Sequence, residues 1–163
     1  AYLALFPPPK PTKNLNRSLL TWSPATLAPL ALLLGVAIPL RLQAYAVLGA
    51  NFTFALTAPQ ALYTGGVYRW VQHPGYTSFV LLVGCHLALF CRTDGVQSVW
   101  FPPQVYARLR EVEKRVLLPA FVAGVLYVVS QRVREEEAML SALFGGDWEA
   151  WHASTARFVP YVF

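Results

Sequence analysis

Three nearly uncharged apolar blocks, at about 24–40, 76–91 and 116–130, set what this chain can fold into. A helix needs roughly 20 residues to cross the hydrocarbon core of a bilayer, and each block comes slightly short of that length. In water all three would have to be buried together. A chain of 163 residues that is 56% hydrophobic and only 13% charged has too little polar surface to do so. The expectation is an all-α, multi-pass integral membrane helical bundle. A weaker apolar stretch at 45–58, with Gln43 and Asn51 at or near its start, is expected to extend the first helix beyond the membrane, the alternative being an interfacial segment.

The net charge of +5 would suggest nucleic acid in a soluble domain. Here the Lys and Arg residues are scattered between apolar blocks, so anionic membrane lipid is a sufficient partner and nucleic acid is not expected. Cys85 and Cys91 stand six residues apart, on different helix faces, which indicates neither a disulfide nor a metal pair. His73, His86 and His152 share no ligand spacing, so no metal is expected.

Ala1 opens the chain and the stretch to Phe6 is too short for a signal-peptide core, so an upstream helix is expected to be missing. Pro7-Pro8-Pro9-Lys10-Pro11 makes residues 1–22 an extended arm or linker before a membrane domain at 23–163. Ser23-Pro24 predicts the start of the first long helix, which Pro29 and Pro39 should kink or break. Residues 59–75, with Gly65-Gly66, must leave regular structure. The insertion at 92–115 reads as a turn plus a short charged helix separating the second and third blocks. The third helix continues through Glu135-Glu136-Glu137 to Phe144 and stops at Gly145-Gly146. Asp147 should then N-cap a final helix whose Trp148 and Trp151 suit the membrane–water interface.

Two constellations carry possible chemistry. The first is Gly66-Val67-Tyr68-Arg69-Trp70-Val71-Gln72-His73-Pro74-Gly75-Tyr76, where a loop turns into the second membrane helix. Unpaired N–H groups at a helix start bind anions, and the faces of Tyr68, Trp70 and Tyr76 could hold a sulfonium or an adenine ring. The plainer alternative is an interfacial aromatic belt with His73 as a helix cap. The second is Arg132 with Glu136, four residues apart at the end of an apolar run. Its plainer alternative is a solvated helix end, with at least one of the three glutamates simply hydrated.

Together the two resemble the isoprenylcysteine carboxyl methyltransferase family and its phospholipid-methyltransferase relatives. The residues are Gly66-Val67-Tyr68, His73-Pro74-Gly75-Tyr76, Arg132, Glu136-Glu137, Phe144-Gly145, Arg157 and Pro160, in the family's order and short-range spacing. Gly49-Ala50-Asn51-Phe52 and residues 60–63 extend the likeness upstream, to about 41–163. Each motif is weak alone; the ordered set is specific. Two departures are Gln72, where relatives often carry Arg, and the longer insertion at 92–115.

What the resemblance implies is a C-terminal helical hairpin with a cofactor pocket at one membrane face. S-adenosyl-L-methionine would be surrounded by Gln60, Ala61, Leu62, Tyr63, Tyr68, His73, Pro74, Gly75, Tyr76 and Glu136. Arg132 would hold the substrate's carboxylate, and Arg132 and Glu136 would carry the catalysis. The acceptor would be the C-terminal carboxylate of a prenylated, CaaX-type protein, in the endoplasmic reticulum membrane of a eukaryote. A C-terminal carboxyl, with a pKa of about 3.3–3.7, is already ionised at neutral pH and needs no general base. Positioning and desolvation can supply the catalysis. The alternatives are methylation of a phospholipid amine or another small lipophilic molecule, and a non-catalytic membrane protein on the same scaffold. If the second and third blocks form the hairpin, the basic residues of the insertion lie opposite the active site, which leaves the membrane orientation open.

Overall fold

A computed structural model describes residues 15–49, 58–95, 98 and 102–162. The proline-rich arm up to residue 14 and the stretch 50–57, with Asn51 and Phe52, lie outside the described residues. Regular structure among the described residues is helical, with two isolated bridges, Val71 to Ala156 and Val159 to Val162. The helices are α1 (Pro24–Leu32), α2 (Ile38–Leu48), α3 (Pro74–Leu89), α4 (Pro103–Val112), α5 (Leu118–Phe144) and α6 (Gly146–Ser154).

Two prolines shape the long helices. A π turn at Leu33–Ala37 links α1 to α2, and a second at Glu113–Leu117 links α4 to α5. Each lies just before a proline, Pro39 and Pro119. Proline has no N–H for the carbonyl four residues back and its ring crowds that carbonyl. Those carbonyls belong to Gly35 and Arg115, inside the two π turns, where the wider helical turn accommodates them without ending the helix. The charged helix of the insertion is therefore continuous with the third apolar block, where the sequence suggested a separate element. Pro29 sits inside α1.

Two helical runs, Arg17–Leu48 and Val105–Phe144, are long and apolar enough to cross a bilayer, and Pro74–Leu89 is a shorter apolar helix. Only 6% and 11% of the apolar windows of the two long runs is buried within the protein, so these surfaces suit lipid, not a packed aqueous core.

The chain divides into two compact units. The first comprises residues 1–31 and 84–123. In it Asn16 caps a short 3-10 turn by accepting from the Ser18 backbone N–H at 3.1 Å, and its own N–H donates to the Asp94 carbonyl at 2.8 Å. Arg92 grips the Asp94 carboxylate with two bonds of 2.8 Å, and Glu113 accepts from the Thr93 N–H. The Arg92 bonds, reinforced by Asn16, hold the Asp94 carboxyl down to about 2.

The second unit comprises 32–83 and 124–163 and contains both constellations picked out by sequence. Gly145, at φ +49°, ends α5 and stands at the N-cap of α6. Asp147 falls inside the first turn instead of capping it, because α6 begins two residues earlier than the sequence suggested. Its charge still favours the helix N-terminus through the dipole.

Candidate functional site

The turn that presents the first motif is built on Gly66. Its φ of +57° lies in the left-handed region, and a Cβ there would stand 2.8 Å from Val47 Cγ2. The 3-10 turn Gly66–Arg69 that follows buries Tyr68, whose carbonyl accepts from Trp151 Nε1 at 3.2 Å. Pro74 opens α3, fixing the backbone direction just after His73.

Residues 71–73 are tied to the C-terminal segment. The Gln72 N–H donates to the Ala156 carbonyl at 2.9 Å and the His73 N–H to the Arg157 carbonyl at 3.0 Å. The buried Gln72 side chain donates to the carbonyls of His152 and Thr155 and accepts from His152 Nδ1 at 2.7 Å. This donor-plus-acceptor amide fits the position; a guanidinium could only donate.

Glu135, Glu136 and Glu137 take three different places on α5. Glu135 is exposed and pairs with Arg132 at 3.3 Å. Glu136 turns inward, and the Tyr76 hydroxyl interacts with both its carboxylate and the Arg132 guanidinium. Glu137 accepts from His73 Nε2 at 3.1 Å and from Arg157 at 3.2 Å on each oxygen. Burial first, and the Glu136 charge second, push the Tyr68 phenol well above its usual value, so it stays protonated and neutral.

Tyr68, Tyr76 and Glu136 border one cavity of about 360 Å³, within the size class of small-molecule sites. Ala61, Leu62, Tyr63, Tyr68, His73, Pro74, Gly75, Tyr76, Arg132 and Glu136 all line it. Gln60 does not, and is exposed. The wall also contains residues that sequence reasoning missed: Arg41, Tyr45, Phe79, Met139 and Trp151 among them. Arg41 lies over the Tyr45 ring at 5.0 Å and donates to the Gly75 carbonyl at 3.4 Å. Helical spacing was a usable signal, since Val129, Arg132, Glu136, Met139 and Leu140 recur at intervals of three and four residues or in sequence on α5. Among the described residues no group of three or more His, Cys, Asp or Glu could hold a metal.

Residues 30–142 match the model of the isoprenylcysteine carboxyl methyltransferase family. The chain belongs to this family. No curated protein matches it. Membership in a membrane methyltransferase family, with two helices suited to crossing a bilayer and little of them buried, makes it an integral membrane protein. The family match covers α2, the Tyr68 turn, His73, α3 and the Arg132–Glu136 part of α5; Trp151 and Arg157 lie beyond it.

Proposed function

We propose that this member of the isoprenylcysteine carboxyl methyltransferase family transfers a methyl group from S-adenosyl-L-methionine to the C-terminal carboxylate of a prenylated cysteine. The observation that carries this reading is the meeting of Arg132, Glu136, Tyr76 and His73 on one cavity wall.

The residues present fit the cofactor. The neutral phenols of Tyr68 and Tyr76 offer aromatic faces, Glu136 offers a negative charge to a cationic molecule, and His73 keeps a buried polar atom, Nδ1, without a partner. When bound, the cofactor supplies an electrophilic methyl group on a sulfonium sulfur. Arg132 orients an incoming carboxylate through its N–H donors, and the apolar wall excludes water from it. A carboxylate held there by Arg132 would already be ionised when it met that methyl group. No proton moves, so none of these residues serves as a base. We place the pocket at one membrane face, between the arms of a C-terminal hairpin, with the prenyl chain entering from the lipid. In a eukaryote that membrane is the endoplasmic reticulum.

A protonated phospholipid amine is the less favoured acceptor, because two guanidiniums, Arg41 and Arg132, stand in the same wall. Purified protein in lipid nanodiscs, given radiolabelled cofactor with farnesyl-cysteine analogue or phosphatidylethanolamine, should label the first. Glu136→Ala should lose cofactor binding, whereas Arg132→Ala should keep binding and lose turnover. Labelling of the amine alone would overturn the carboxylate reading, and no cofactor binding at all would leave a non-catalytic scaffold.

A further inference from the structure

Trp70, just before α3, and the segment after α6 present an apolar surface that the cavity does not use. Trp70 is 50% exposed and Tyr161 78%, and Phe158, Val159 and Val162 are exposed along the same segment. None of the five lines the cavity. The two tryptophans that the sequence suggested for the membrane–water boundary are engaged within the protein instead: Trp148 is buried and stacks on His152 at 4.4 Å, and Trp151 donates to the Tyr68 carbonyl.

Segment 155–162 is stitched along the start of α3. Its Ala156 and Arg157 carbonyls accept from the Gln72 and His73 N–H groups, and the Phe158 carbonyl accepts from the Thr77 hydroxyl at 3.0 Å. A turn closed by the Val162 N–H on the Val159 carbonyl holds Tyr161 in the left-handed region, at φ +66°, and its ring stands edge-on to Trp70 with centroids 6.0 Å apart. That backbone costs a tyrosine energy, which the ring contact helps to offset.

These bonds also fix the depth of the segment. α3 is apolar from Pro74 onward, so its first turn marks the hydrocarbon boundary. On α5 the glutamates at 135–137 follow the apolar run, and Glu137 is bonded to both His73 and Arg157, which puts the segment at the same level. Trp and Tyr concentrate at that depth, where the ring meets hydrocarbon and its N–H or O–H meets headgroups. Arg69, exposed and 5.8 Å from the Trp70 ring, adds a cation where lipid phosphates lie.

We propose that Trp70, Phe158, Val159, Tyr161 and Val162 seat in the interfacial layer of the bilayer, with Arg69 at the lipid phosphates, and that the lipid thereby clamps segment 155–162 onto the turn at 71–73. The proposal is independent of which cofactor or acceptor the cavity takes.

The test uses the full chain in phosphatidylcholine nanodiscs whose acyl chains carry bromine near the headgroup. Trp70 emission, taken as the difference between the native protein and Trp70→Phe, should be quenched by the brominated lipid and little affected by iodide in the water. Tyr161→Phe should keep this pattern. Val159→Asp with Tyr161→Asp, both at exposed positions, should open Trp70 to iodide and speed trypsin cleavage after Arg157 about tenfold, the population of the released segment setting the rate. Quenching of Trp70 by iodide and not by brominated lipid would place the surface in water. Quenching by neither would place it under a second copy or another protein. Either result would overturn the proposal, and equal cleavage of the native chain and the double variant would overturn the clamp.

Discussion

Three consecutive glutamates on α5 show how far apart neighbouring residues can lie in consequence. Glu135 faces outward and pairs with Arg132 in a contact that solvent largely screens. Its replacement by Ala should change S-adenosylhomocysteine affinity by no more than about twofold, the scale of an exposed pair, whereas Glu136→Ala should abolish measurable binding by calorimetry. Tyr68 supports a second expectation. Its phenol titrates far above the neutral range, and a tyrosine whose folded value is raised stays protonated until the pH passes that value. With the acceptor carboxylate already ionised, the saturated rate should stay flat between about pH 6 and 9. A rate rising about tenfold per pH unit would reveal a general base. The family resemblance brought out Arg132, Glu136 and His73 as a set. It could not distribute the three glutamates, because only the rotation of α5 decides which carboxylate meets Tyr76 and which meets His73. Arg41 and Trp151 escaped for a related reason: each reaches the cavity from an element with no motif of its own.

At the level of elements, the turns are where single substitutions should tell most. Gly66→Ala forces a left-handed backbone on an alanine and drives its Cβ against a stiff β-branched side chain. It should cost about 2 kcal/mol in thermal or denaturant unfolding. Val47→Ala in the same chain should restore the part due to the clash but not the part due to φ, a separation that a double-mutant cycle measures. The 92–95 turn should respond to acid. Asp94 has its carboxyl depressed from 3.8 to about 2, so its contribution is complete above pH 4 and fades as pH falls through about 2. Arg92 is partly exposed, which limits the effect to under about 1 kcal/mol. Asp94→Asn should flatten that acid limb. The glycine and proline punctuation made two helix starts legible, those at Pro24 and Pro74. At Pro39, where the same rules called for a kink or a break, a π turn lets the helix run on. Nothing in the local sequence separates a proline that ends a helix from one that a widened turn absorbs.

For the whole molecule, apolar excess settles the solvent before any motif is considered. The long runs have mean hydropathies of 1.9 and 1.7 and stay almost unburied within the protein. The membrane was therefore legible from composition and block length. The division into two units, with α3 and α5 each contributing to both, was not, because apolar blocks of similar length carry no record of which neighbours they pack against. The exposure of α5 gives a prediction that separates lipid contact from internal packing. Leu126 is 50% exposed in the middle of the second long run, whereas Leu140 is buried near its end. Near a span's centre, Leu favours insertion by about 0.5 kcal/mol and Arg opposes it by about 3 kcal/mol. Leu126→Arg should therefore lower membrane integration of the 105–144 segment sharply, as read by a glycosylation reporter in microsomes. Leu140→Ala should leave integration unchanged and reduce thermal stability by about 2–4 kcal/mol, through loss of packing in the cavity wall. Equal integration of the Leu126→Arg segment and the native one would mean that this helix face does not meet lipid.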